Sequence, residues 1–272
     1  MAQQAAREKP ADQRRLPDVR DARINADLLR FVLKNFDRRG DQRQRMRHAF
    51  MQTVQAINAV AARHDHYTAH HQERVAILTL AIGRELGLSA NLLDGLYLGA
   101  LVHDLGKVAI PSELLNKPGR LTPEEFALAK THVQIGCEIL QHVSLPWPIC
   151  QIVSQHHERL DGSGYPHALV GDEIIPEARI VAVADVFQAL CEDRPYRKAL
   201  GMRAALEELD KGAGTKFDGD VVRAVLAITT RMNVPESDLW DCMTLDITGA
   251  TRRQGGRPVR AARLTSKVNA AR

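Results

Sequence analysis

The sequence predicts an all-α protein: one helical bundle, preceded by an N-terminal helical extension and followed by a disordered basic C-terminal tail. Three observations predict it. Apolar residues recur at three- and four-residue spacing along most of the chain, the period of an amphipathic helix. No segment alternates apolar and polar residues convincingly enough for a half-buried strand, and no internal repeat is present. Helix punctuation separates the apolar stripes, with Ser89 and Thr122-Pro123-Glu124-Glu125 as starts and Gly87 as a stop.

Composition narrows the class. A chain of 272 residues holds one large domain or two small ones. Charge interrupts every apolar run before 18 residues, so no transmembrane helix is expected. The N-terminus lacks the apolar centre of a signal peptide. The four cysteines (Cys137, Cys150, Cys191 and Cys242) form no CxxC pair. Three fall in apolar helical patterns, which favours packed thiols in a reducing cytoplasm over disulfides or a zinc site. The net charge of +4 is unevenly spread. Residues 1–50 carry 13 basic against 7 acidic side chains, and residues 252–272 carry 7 basic and none acidic. The middle of the chain is therefore net acidic. A nucleic-acid-binding protein is disfavoured, because the basic segments are terminal and lack interleaved aromatics.

In chain order, residues 1–45 are an arm and helical extension, 46–235 the bundle domain, and 236–272 a C-terminal extension, basic and disordered at its end. The arm, to about residue 20, is polar and contains Pro10 and Pro17. Ile24, Leu28 and Phe36 then mark a first helix. Met46, Phe50, Val54, Ile57 and Ala61 stripe a second, between Gln42 and Arg63. Core packing is the ordinary reading of such a stripe, and a homodimer seam through these N-terminal helices is the alternative. Helices follow at His71–Leu86, with Val75, Leu78 and Ile82 inward, and at Ala90–Leu105 behind a Ser89 cap. A capping box at Thr122 opens a helix that carries Phe126, Leu128, His132, Ile135 and Ile139. Trp147–His157, Pro176–Cys191, Met202–Leu209 and Gly219–Met232 complete the set.

The chemistry concentrates at Leu101-Val102-His103-Asp104-Leu105-Gly106-Lys107. An imidazole and a carboxylate end a core-facing stripe, where an unliganded ionisable pair is costly. Gly106 suits a left-handed helix end, and Lys107 emerges from the turn beside the pair as a mobile cation. A two-residue motif is weak evidence alone. His71, His132, His156, His157 and Asp185 lie at helix ends or within apolar patterns elsewhere, and Asp185 sits among Val183, Ala184, Val186 and Phe187. Each by itself reads as an ordinary core residue that has found a partner. Helices in a bundle can converge such residues on one site. Five imidazoles and two carboxylates without thiolate would suffice for two divalent ions sharing one carboxylate, and suit iron, manganese, zinc or nickel better than calcium or magnesium.

The ordered motifs resemble the HD-GYP branch of the HD metal-dependent phosphohydrolases. The pieces are Tyr67 to Val75, His103 to Lys107, Leu115 to Gly119 and His132 to Gly136, then His156-His157-Glu158-Arg159-Leu160-Asp161-Gly162-Ser163-Gly164-Tyr165-Pro166. Ala182 to Phe187, Asp193 to Arg197 and Gly214 to Asp218 follow, so the match covers roughly Tyr67 to Val222. The resemblance implies an HD-type helical domain. It implies hydrolysis of the bacterial second messenger cyclic di-GMP to linear pGpG, with a further step to GMP left open, by attack of a metal-bridging hydroxide on phosphorus. It implies that His71, His103, Asp104 and Asp185 hold one metal and that His132, His156 and His157 hold the second, with Asp104 bridging. Asp104 and Lys107 become the catalytic pair, and Lys107, Tyr165, Arg194 and Arg197 the substrate contacts. The Gly164-Tyr165-Pro166 loop becomes a contact for diguanylate cyclase (GGDEF) domains. His70 is a neighbour whose exchange with His71 the sequence does not decide. With Tyr67 four residues before His71, in place of a carboxylate, two metals are expected and not three. A catalytically weak cyclic di-GMP receptor, and a phosphohydrolase for another cyclic dinucleotide, are the competing readings.

Overall fold

A computed structural model describes residues 52–54, 56–57, 68–193 and 198–248. The N-terminal arm and first helix, Tyr67, Arg194 and Arg197, and the basic tail from residue 252 lie outside the described residues. Among the described residues there is no strand, only isolated bridges between Asp161 and Val170 and between Ala213 and Phe217. The all-α expectation therefore holds. No helix of the described residues is long and apolar enough to cross a membrane.

Helix α1 (Thr68–Glu85) and helix α2 (Ala90–Val102) form the centre. Val75, Leu78 and Ile82 repeat at near-helical spacing on α1 and are fully buried, against Leu96 and Ala100 of α2. Gly87, at φ +72°, turns the chain between them. Ser89 then caps α2 by accepting from the Leu92 amide. Helix α2 stops at Val102, three residues before the expected end, and a 3-10 turn over Leu105–Ala109 carries the chain onward. His103 and Asp104 sit in the break between the two.

Helix α3 (Ser112–Leu115) leads to α4 (Pro123–Lys130), which opens on the capping box of Thr122 and Glu125. Helix α5 (His132–Leu140) follows after one residue. The single helix expected here is two, and its first half turns outward: Phe126 and Leu128 are exposed, not core. Helix α6 (Ile149–Gln155) is shorter than the expected Trp147–His157. Helix α7 (Pro176–Cys191) has the expected limits, and α8 (Met202–Gly212) and α9 (Gly219–Met232) complete the bundle. Asp218 caps α9 on the amides of Asp220 and Val221.

Helix α10 (Glu236–Thr248) was not anticipated, and it lies against α1. Its Leu239, Met243 and Ile247 repeat every four residues and are buried in the main core. Of the stripe predicted near the N-terminus, Val54 joins the same core and Ile57 is exposed, while Met46, Phe50 and Ala61 lie outside the described residues. The four cysteines are free and partly buried.

Candidate metal centre

The seven side chains expected to bind metal come from α1, the α2 break, the start of α5, the end of α6 and the middle of α7, and they converge on one buried point. His71 is 3% exposed, His103 and His156 0%, and Asp104 2%. His70, next to His71 on α1, is exposed and lines a separate cleft with Trp240 and Thr244. Helix phase thus turns His71 toward the cluster and His70 away.

Asp104 stands at the middle. Its Oδ2 lies 3.3 Å from His103 Nε2 and 3.6 Å from His71 Nε2, while its Oδ1 lies 3.3 Å from His132 Nε2. Asp185 approaches from α7, with Oδ1 3.1 Å from His71 Nε2 and Oδ2 4.0 Å from His157 Nδ1. The potential ligand atoms fall into two groups: His71, His103 and Asp104, and Asp104, His132, His156 and His157. Within each group they lie within 4.8 Å of one another, and Asp104 is common to both. Asp185 borders both groups.

Hydrogen bonding fixes what most of the imidazoles present. Nδ1 of His103 bonds the Ala100 carbonyl at 2.6 Å, Nδ1 of His132 the Ala129 carbonyl at 2.7 Å, and Nδ1 of His156 the Val153 carbonyl at 2.8 Å. A carbonyl only accepts, so each Nδ1 carries the proton and each neutral ring presents a bare Nε2. His71 reaches the same state through the Gln188 side-chain oxygen. The Nε2 atoms of His71, His103, His132 and His156 are buried without a hydrogen-bond partner, as is Asp104 Oδ1. Lone pairs of nitrogen and carboxylate oxygen thus face one another at 3.1–3.6 Å in the interior. Leaving such groups unsatisfied is costly, and cations between them remove the cost. The donor set therefore fits divalent metal.

The electrostatics point the same way. Burial pushes His132 down, His156 down to about 3, and His157 well below the usual imidazole range, so these rings stay neutral and able to ligate. Burial also acts downward on His103, but Asp104 and Asp185 outweigh it and lift its pKa, which marks this spot as one that attracts positive charge. Burial would raise Asp104 and Asp185. For Asp104, Lys107, His103 and His132 prevail, and for Asp185 chiefly His71, so both are held well below the usual carboxylate range.

Lys107 places Nζ 2.7 Å from Asp104 Oδ2, with 20% of its side chain exposed at the mouth of the site. Gly106 is needed for a reason other than the one expected. Its φ is not left-handed, and a Cβ there would lie 1.9 Å from the His132 carbonyl oxygen. The 3-10 turn thus packs backbone to backbone on α5, which brings Asp104 and Lys107 up to His132. Gly164 packs similarly on the Glu158 and Arg159 backbone. Tyr165 follows it and stacks on His157 with ring centroids 4.6 Å apart; the Tyr165–Pro166 peptide is cis.

Three contributors were not singled out from sequence. Gln188 holds His71, and its spacing of three residues from Asp185 on α7 was the available signal. Glu158, 2% exposed, accepts from the His167 and Leu169 amides and ties the loop after Tyr165 to the end of α6. Phe126 lies 6.1 Å from Tyr165, with the Lys130 ammonium over both rings, and had been read only as part of the apolar pattern of its helix.

Such a buried His–Asp cluster inside a helical bundle, able to hold metal, defines a class, and comparison with known proteins gives the same one. The HD domain family model matches residues 55–221, so the chain belongs to the HD-domain family, and its motifs and relatives place it in the HD-GYP branch. A cyclic di-GMP phosphodiesterase of Thermotoga maritima is 36% identical over 210 residues, covering 76% of this chain and 55% of that protein. A 3'3'-cGAMP-specific phosphodiesterase of Vibrio cholerae is 42% identical over 140 residues, covering 52% of this chain and 32% of that protein. The chain therefore spans about half or less of the relatives it matches. An HDG"Y"P protein from Bdellovibrio bacteriovorus shares the fold, with a TM-score of 0.54 at 22% identity over 80% of this chain and 75% of that one.

Proposed function

We propose that the chain is a metal-dependent phosphodiesterase that opens cyclic di-GMP to linear pGpG, with GMP as the product of any further step. The observation that carries this reading is the sharing of Asp104 between two groups of buried ligands. His71, His103, Asp104 and Asp185 would hold one divalent ion, and Asp104, His132, His156 and His157 the other. Bound there, the ions supply Lewis acidity that acidifies water and neutralises the non-bridging phosphate oxygens. Nitrogen and oxygen donors without thiolate are compatible with iron, manganese, zinc or nickel, and iron or manganese is the pair proposed, with zinc or nickel as alternatives.

The protein's own groups do the remainder. The Lys107 ammonium, at the mouth of the site, is placed to stabilise charge on the leaving 3′ oxygen and to hand it a proton. Tyr165 forms a wall that holds His157 in place by stacking, with Phe126 and the Lys130 ammonium beside it, and would line the substrate pocket. Arg194 and Arg197, outside the described residues, complete the reading as phosphate contacts, for which guanidinium geometry is suited.

The Vibrio cholerae relative's name brings a second substrate into view, the mixed cyclic GMP–AMP dinucleotide. Hydrolysis of cyclic di-GMP, 3'3'-cGAMP and cyclic di-AMP by the same metal-loaded protein separates the readings. Cyclic di-GMP turned over fastest supports the first, 3'3'-cGAMP the second, and tight cyclic di-GMP binding without turnover a receptor. Free thiols support a cytoplasmic setting. Contact of the Gly164-Tyr165-Pro166 loop with GGDEF domains, and dimerisation through the N-terminal helices, belong to the same proposal. Pull-down with a purified GGDEF domain and light scattering test them.

A further inference from the structure

His71 differs from the other three oriented histidines in how its tautomer is set. His103 and His156 follow the last turns of α2 and α6, and His132 follows α4. Near a helix C-terminus the last carbonyls are not all taken up by i+4 amides of the helix, and each of these rings bonds one from three residues back. His71 lies in the first turn of α1, where carbonyls are taken up by the helix itself. It bonds instead to the side-chain oxygen of Gln188, which is fully buried on α7.

An amide can face either way, and only one orientation serves. The Gln188 nitrogen donates to Glu192, four residues on, at the C-terminal cap of α7. The other carboxylate oxygen of Glu192 accepts from Arg74 at 2.9 Å, and Arg74 lies one turn after His71 on α1 with its guanidinium over the Trp240 ring. A carboxylate only accepts. Glu192 therefore demands the amide NH2, which leaves the amide oxygen toward His71. That oxygen demands a proton on Nδ1, and in the neutral ring Nε2 is then bare toward Asp104 and Asp185.

We propose that Glu192, which touches neither His71 nor any other ligand of the site, is a positioning residue that sets the His71 tautomer through the Gln188 amide. The inference deepens the metal-centre reading and rests on it, but its test needs no cyclic dinucleotide. Neighbours of this kind typically change metal affinity about 10- to 100-fold, and one further hydrogen bond of separation puts Glu192 at the lower end. In metal-free Glu192→Met protein, nitrogen-15 NMR of the His71 ring, assigned by its loss in His71→Gln, should show a mixture of Nδ1–H and Nε2–H forms where the parent shows Nδ1–H alone. Manganese(II) titration should show about tenfold weaker binding. The isosteric exchange Gln188→Glu with Glu192→Gln restores an acceptor facing His71 and a donor facing that acceptor. It should recover both the single tautomer and the affinity. An unchanged tautomer and affinity in folded Glu192→Met protein would overturn the proposal, as would an exchange variant no better than Glu192→Met.

Discussion

The Oδ1 atom of Asp104 lies 3.3 Å from Nε2 of His132, on the opposite side of the carboxylate from the oxygen that faces His71 and His103. One carboxylate thus divides its two oxygens between two sets of imidazoles. Removing it should uncouple the sets. Asp104→Ala is expected to lose hydrolysis to background and to fall below two metal ions per chain by elemental analysis. Its helical circular dichroism should be retained, because the apolar contacts of α2 do not depend on it.

Lys107→Ala is expected to depress kcat about a hundredfold while leaving KM within about threefold, since an ammonium beside the leaving oxygen matters most in the transition state. Steady-state kinetics on cyclic di-GMP decide it. A change confined to KM would make Lys107 a binding group.

Tyr165 packs its ring, not its hydroxyl, on His157. A stacked pair of this kind contributes about 0.5–1.5 kcal/mol. Tyr165→Phe should keep KM near the parent value, and Tyr165→Ala should raise it about three- to tenfold. Equal losses in both variants would assign the role to the hydroxyl.

Gly106→Ala puts a methyl group into the space now occupied by the His132 carbonyl oxygen. The turn and α5 must separate, at a cost of at least about 1–3 kcal/mol. Urea denaturation should show the loss of stability. Hydrolysis should fall further than stability alone accounts for, because Asp104 and Lys107 move away from His132 together.

These relations differ in how far they could be read beforehand. The limits of α7 and α9 were plain because Pro176 and Asp218-Gly219 mark their starts. The break between α4 and α5 was not, because Thr131 keeps right-handed helical dihedrals and no glycine or proline announces the turn. Helix α10 escaped because its core stripe is one residue per turn, Leu239, Met243 and Ile247, among acidic neighbours. The side chains of the site were visible as residue types, yet the choice between His70 and His71 depends on helix phase against α7. The Nδ1 partners of His103, His132 and His156 are backbone carbonyls, which leave no trace in side-chain identity. Gly106 was visible as a glycine near a helix end, but its reason is a close approach to α5 that only the packing reveals.

Hydrolysis of cyclic di-GMP by one purified preparation, stripped with chelator and then reloaded with manganese(II) or iron(II), tests the central claim most directly. The account predicts no product from the stripped protein and linear pGpG from the reloaded protein, with activity rising until two ions are bound per chain. Equal turnover by the stripped protein, or no turnover of any cyclic dinucleotide with two ions bound, would contradict it.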